Sequence, residues 1–223
     1  MLKEGIILDV DGTLWNAVGA IRDSWNLYRE EQIPEMPGCY TDADIEGVLG
    51  LTMTQIGDRL LAPLPEKRRH QALEGMMDAE VTYMWEHGGR VYPSVEQTLM
   101  RLKKAGFHLY IVSNCQKGYI EDFLHTSGTV SLIEDHVCFG DTGKPKDFSI
   151  RLCMERNELQ RALYVGDTAG DLDAARRAGI PFIYAAYGFG QVDAEKEKVP
   201  SIEAFSQLPG AVTALWEKAG NRR

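Results

Sequence analysis

Five short runs rich in β-branched and apolar residues set the fold class: Ile6–Leu8, His108–Ser113, Val137–Phe139, Leu163–Val165 and Pro181–Ala185. Each is the length of a buried strand, and all but the first follow a segment with helical periodicity. Val95, Leu99 and Leu102 precede Gly106, and Leu172, Ala175 and Ala178 precede Gly179, so a glycine stands where a helix C-cap is expected. Strands alternating with helices predict an α/β fold, a doubly wound parallel sheet of the Rossmann-like kind.

The rhythm breaks over residues 16–89, where strand signals vanish and helical ones remain. Val18, Ile21, Trp25 and Tyr28 recur on one helical face, and Thr41 with Asp44 three residues on marks a second helix start. A long helix is predicted from Pro65 to Gly88-Gly89. The expected organisation is therefore a core of residues 1–15 and 90–223 with an all-helical cap, 16–89, inserted after the first strand. Such an insert sits over the C-terminal strand edge, where open sheets bind ligands. Hinges are expected near Trp15–Ala17 and Gly88–Arg90.

Composition narrows the function classes. The 223 residues carry 24 Lys+Arg against 33 Asp+Glu, a formal charge of −9, which argues against a nucleic-acid groove. With 44% hydrophobic and 26% charged residues the chain is neither disordered nor fibrous. No apolar stretch approaches the roughly 18 residues of a spanning helix, and no signal peptide is evident, so a cytoplasmic protein without membrane contact is expected. Cys39, Cys115, Cys138 and Cys153 form no C-x-x-C pair and read as reduced thiols.

Chemistry concentrates where strands end. Ile6-Ile7-Leu8-Asp9-Val10-Asp11-Gly12 places two carboxylates on one side of a strand terminus, with glycine allowing a sharp turn. Read alone this is an Asp-Gly turn; the spacing of an EF-hand is absent. Gly166-Asp167-Thr168-Ala169-Gly170-Asp171 follows Leu163–Val165 and brings two more acids to the same edge. Converging carboxylates repel unless a hard cation joins them, and Mg²⁺ suits a few carboxylates plus water. Asp171 also complements a helix N-terminus. Ser113-Asn114 closes the second strand, and Gly143-Lys144-Pro145 follows the third. A hydroxyl, an amide and an ammonium around a carboxylate and metal site suit phosphoryl transfer. Ser113 alone reads as a cap, and Lys144 as a surface lysine with Lys146 competing for its role; Pro145 favours Lys144 by holding it extended.

In order and context, D-x-D-G-T-L, S-N, G-K-P and G-D-x-x-x-D resemble the haloacid dehalogenase superfamily over nearly the whole chain. The helical insert resembles the cap of its phosphoglycolate phosphatase and β-phosphoglucomutase branch. The resemblance implies Asp9 as the nucleophile that forms an aspartyl-phosphate and Asp11 as acid/base. It implies Mg²⁺ held by the Asp9 and Asp167 carboxylates and the Asp11 carbonyl, with Asp171 in support. Ser113, Asn114 and Lys144 would hold the phosphate. Dehalogenases lack an acid at the position of Asp11, so phosphate-ester or mutase chemistry is expected. The chain departs from the family at Asn16, where many relatives carry aspartate, and near Gly50-Leu51-Thr52, where Glu46 and Gly47 replace a basic residue. Arg59, Arg68, Arg69 and His70 read as a solvated face, and the Met and Trp residues of 76–85 as cap core.

The expected function is a Mg²⁺-dependent phosphatase for a small phosphorylated metabolite, phosphoglycolate-like or a sugar phosphate. Two rivals are a phosphomutase of the β-phosphoglucomutase type and a non-catalytic phosphoacceptor or metal-binding module. An acid/base two residues from the nucleophile shortens the life of an acyl phosphate and so favours the enzyme.

Overall fold

The computed structural model describes residues 2–36 and 38–220. Its centre is a six-stranded parallel sheet built from β1 (Glu4–Leu8), β4 (His108–Ser113), β5 (Asp135–Cys138), β6 (Arg161–Gly166), β7 (Phe182–Ala185) and β8 (Ser201–Ile202). The spatial order is β5-β4-β1-β6-β7-β8, so β1 lies between β4 and β6. Leu8 is in register with Ile111 of β4 and with Val165 of β6. The residues that follow these three strands therefore meet at one edge.

Alternation along the strands separates two apolar layers. Ile6, Leu8, Ile111 and Val165 face one side, with Leu99 and Leu102 of α5 (Val95–Lys104), Phe123 of α6 (Tyr119–Ser127) and Val212 of α11 (Leu208–Gly220). Ile7, Tyr110, Val112 and Tyr164 face the other, with Ile150 and Cys153 of α8 (Lys146–Arg156) and Leu172 and Ala175 of α9 (Ala169–Ala178). Both faces are covered, as a parallel sheet requires. Two short helices, α7 (Phe139–Thr142) and α10 (Ala194–Glu197), complete the connections.

Between β1 and β4 the chain makes α1 (Val18–Gln32), α2 (Asp42–Glu46), α3 (Met53–Leu60) and α4 (Glu66–His87). Thr41 and Thr52 each close a capping box, with Asp44 and Gln55 respectively. Asn16 has a local role here: its Oδ1 accepts from the Val18 N–H at 3.1 Å as α1 begins. Met76, Glu80 and Met84, spaced four apart on α4, are all buried, so these methionines are cap core with an acid among them, whereas Trp85, expected in the same core, is exposed. The two chain crossings between sheet and helices pair as an antiparallel ribbon of β2 (Trp15–Asn16) and β3 (Arg90–Val91). Gly88 ends α4 at φ 65°, ψ 174°, a conformation that excludes side-chain-bearing residues in practice.

The β8 strand was not expected from sequence; it is two residues long, below the reach of periodicity. The four cysteines are free, with Cys115, Cys138 and Cys153 buried. Among the described residues, no helix is long and apolar enough to cross a membrane.

Candidate active site

Asp9 follows β1 directly, and its backbone N–H donates to the Val165 carbonyl at 2.9 Å, which fixes it at the sheet edge. Asp167 follows β6, and Asp171 lies in the first turn of α9. All three are buried, and each offers a carboxylate oxygen within 4.8 Å of the others. Gly12 permits this closeness: at φ 73°, a Cβ there would stand 2.1 Å from Asp167 Oδ2.

One cation holds the cluster. Lys146 Nζ donates to Asp171 Oδ1 at 2.5 Å and lies 3.2 Å from Asp9 Oδ1, with 5% of its own surface exposed. Burial alone would lower the Lys146 pKa, but Asp171 and Asp9 more than reverse this and keep it charged. Lys144, favoured by the sequence argument, is exposed. Its N–H donates to Thr142 Oγ1 at 3.2 Å before the chain reaches Pro145, the N-cap of α8. Helical side chains tilt toward the helix N-terminus, so the first residue of α8, Lys146, points back at the sheet edge.

Each remaining carboxylate oxygen has a definable state. Asp171 Oδ2 accepts from the Thr168 N–H and hydroxyl at 3.0 and 2.7 Å, completing a capping box. Asp167 Oδ2 accepts from the Phe189 and Gly190 N–H groups at 2.8 and 3.0 Å. Asp167 Oδ1 is buried without a hydrogen-bond partner, and Asp9 Oδ1 meets only the Lys146 ammonium; a divalent cation would satisfy the first and share the second. Burial and the neighbouring Asp171 push Asp9 up to about 8 and Asp167 up to about 7. The donor set therefore fits a hard divalent cation.

Asp11 faces away from this cluster. Its Oδ1 accepts from Tyr119 Oη at 2.6 Å and from Trp15 Nε1 at 3.1 Å. Burial pushes Asp11 up to about 6, the two donors limiting the rise. Ser113 is buried at the end of β4 and lines the same chamber as Asp9 and Asp11. Asn114 lines the chamber as well, and its Nδ2 donates to the Gly50 carbonyl at 2.8 Å, tying the sheet edge to the helical insert.

The haloacid dehalogenase-like hydrolase family matches residues 6–185 of the chain. The chain belongs to that family. Curated relatives include the phosphoglycolate phosphatase of Aquifex aeolicus, 30% identical over 85% of this chain and 88% of that one. The phosphoglycolate phosphatase of Vibrio cholerae is 28% identical over 82% of this chain and 84% of the other. Among solved structures, a predicted phosphoglycolate phosphatase of Haemophilus somnus superposes with a TM-score of 0.81 at 20% identity, covering 95% and 98% of the two chains. CbbY of Rhodobacter sphaeroides, crystallised with phosphate, gives 0.74 at 20% identity, covering 93% and 96%. The chain is accordingly a haloacid dehalogenase-type phosphatase, a hydrolase of phosphoric monoesters.

Sequence reasoning set Lys146 against Lys144 as a rival and passed over three further groups that line the chamber: Tyr119, Gln116 and Glu80, the last two joined by a hydrogen bond of 2.8 Å. Tyr119 sits at the start of α6 and looked like one more apolar position. Glu80 did carry a signal, an acid on the same helical face as Met76 and Met84.

Two measurements test this electrostatic picture. Lys146→Met is expected to lower phosphomonoester turnover by about 10²-fold or more, while Lys144→Met stays within about twofold; steady-state assays of both decide between the lysines. For the second, Asp9 and Asp167 have folded pKa values above those of the unfolded chain, so the cation-free fold binds protons the unfolded chain has lost. That contribution to stability therefore falls as pH rises from about 4 toward 8. A divalent cation needs the carboxylates ionised, so the rise in Tm produced by Mg²⁺ should be larger at pH 8 than at pH 5.5. An increment independent of pH would contradict the assignment of these acids.

Proposed function

We propose that the protein hydrolyses a small phosphorylated metabolite through an aspartyl-phosphate on Asp9, with Mg²⁺ as cofactor. The observation that carries this reading is the division of labour between the two acids of the first motif. Asp9 sits with Lys146 and the buried acids, while Asp11 is held by Tyr119 and Trp15 on the chamber side.

The phosphoryl group would lie over Asp9, with the Ser113 hydroxyl and the Lys146 ammonium on its oxygens. Asp171 and Thr168 orient Lys146, so its charge is fixed before substrate arrives. Mg²⁺ would be held by Asp9, Asp167 and the Asp11 carbonyl, near Asp171, where it supplies positive charge to the phosphoryl oxygens and to Asp9. Asp9 Oδ then attacks phosphorus as the ester oxygen departs with the proton of Asp11. Asp11, now a carboxylate, takes a proton from water, which attacks the same phosphorus and frees Asp9. A carboxyl with a pKa of about 6 is suited to both transfers near neutrality.

Residues 16–89 act as the cap, with residues 1–15 and 90–223 as the core. The chamber under the insert has a cavity volume of about 30 Å³, room for a water or two and too little for a phosphate ester. Substrate and product must pass by separation of cap and core about the β2–β3 ribbon. That closure favours a small metabolite over a phosphoprotein. The buried free thiols Cys115, Cys138 and Cys153 fit a reducing, cytoplasmic setting.

The test uses Asp11→Asn with an aryl phosphate, whose leaving group departs without protonation. A burst of about one equivalent of phenol per enzyme should precede a steady rate about 10²- to 10⁴-fold below wild type, as the acyl phosphate accumulates. An unchanged steady rate would remove Asp11 from the role.

A further inference from the structure

The two carboxylate oxygens of Asp11 stand in different surroundings. Oδ1 accepts from Tyr119 Oη at 2.6 Å and from Trp15 Nε1 at 3.1 Å. Among the described residues no donor reaches Oδ2, yet unlike Asp167 Oδ1 this atom is not sealed off, and Asp11 lines the chamber. The carboxylate therefore has a held oxygen and an open one.

Both donors are locked in place. Trp15 and Tyr119 are buried, and their rings meet edge to face with centroids 5.5 Å apart, while Phe123 backs the indole at 5.3 Å. The turn after β1 brings Trp15 back over Asp11: the Trp15 N–H donates to the Val10 carbonyl at 3.3 Å, and the Gly12 N–H donates to the Trp15 carbonyl at 3.0 Å. Tyr119 arrives from the start of α6, 108 residues away in sequence. A phenol and an indole each carry one polar hydrogen, and Asp11 Oδ1 receives both. A carboxylate oxygen offers about two acceptor sites, so one that accepts two hydrogen bonds has none left for a proton.

Resting on the acid/base reading of Asp11 above, we propose that Tyr119 is a positioning residue of the reaction, which together with Trp15 confines the transferable proton to Asp11 Oδ2. In the first half the Oδ2–H bond breaks as the ester oxygen leaves phosphorus and takes that proton. In the second half a water O–H bond breaks, the proton returns to Oδ2, and the new water–phosphorus bond forms as the Asp9 oxygen departs. Tyr119 acts through Asp11 and keeps its own proton in both halves. Without the Tyr119 hydroxyl, Oδ1 regains an acceptor site and the carboxyl is free to turn about its Cβ–Cγ bond. The proton then divides between two oxygens and aligned geometries become a minority, a loss that falls on the proton transfer and not on substrate binding.

The test compares kcat/KM of the full-length protein with Mg²⁺ on two esters that share the phosphoryl group, 4-nitrophenyl phosphate and phenyl phosphate. Nitrophenolate departs with little help from an acid, whereas phenolate is the poorer leaving group and draws on the proton of Asp11. Tyr119→Phe, which keeps the ring against Trp15, should lower the phenyl to 4-nitrophenyl ratio of kcat/KM about tenfold. Trp15→Phe, which removes the other donor, should move the ratio in the same direction. Damage to folding alone would lower both esters equally and leave the ratio where it was. Asp11→Asn should lower the ratio at least as far, and adding Tyr119→Phe to it should change the ratio by no more than about twofold. An unchanged ratio in Tyr119→Phe and Trp15→Phe, with Asp11→Asn lowering it, would overturn the positioning role alone. A ratio unchanged in Asp11→Asn as well would overturn the acid/base reading and this inference with it.

Discussion

The buried ammonium of Lys146 is the interaction on which the site depends. Three carboxylates converge at the ends of β1 and β6, and the ion pair with Asp171 and the approach to Asp9 make that convergence tolerable. Removing one partner of such a cluster costs far more than an exposed pair is worth, because the survivors remain buried and uncompensated. The geometry follows from strand order. Because β1 lies between β4 and β6, the ends of three strands and the start of α8 share one edge. The Thr168 capping box then serves two purposes, ending the orphaned N–H groups of α9 and fixing Asp171 beneath the lysine.

The helical insert is coupled to this edge by few polar contacts. Asn114 reaches the Gly50 carbonyl and Gln116 reaches Glu80, while Trp85 stacks on His125 at 4.0 Å. Hydrogen bonds of this kind contribute about 1 kcal/mol each in net terms. The β2–β3 ribbon keeps both crossings together. Trp15 links the two levels, since its backbone belongs to the ribbon and its indole donates to Asp11.

Much of this was legible in the sequence because it is written locally. Asp9, Asp11, Asp167 and Asp171 each follow or flank an apolar strand, and strand ends in a parallel sheet converge by topology. The helical insert showed itself by periodicity, and Thr41 announced its helix by a capping box. Choosing between Lys144 and Lys146 failed because Pro145 constrains both neighbours, and only the direction of α8 decides which one turns inward. Asn114 was legible as a strand-end amide, but its bond to the insert spans 64 residues of sequence and was not. Tyr119 and Gln116 act through partners on other elements, which periodicity does not show. Glu80 was visible as an acid in an apolar stripe, yet its partner and the chamber it faces exist only after α4 docks.

The proposed role of Asp9, phosphoryl transfer with a divalent cation, is tested by phosphate release from an aryl phosphate by wild type and Asp9→Asn, each with Mg²⁺ and with EDTA. Release is expected only from wild type with Mg²⁺, falling to background when either the carboxylate or the cation is removed. Release that persists in Asp9→Asn would contradict it.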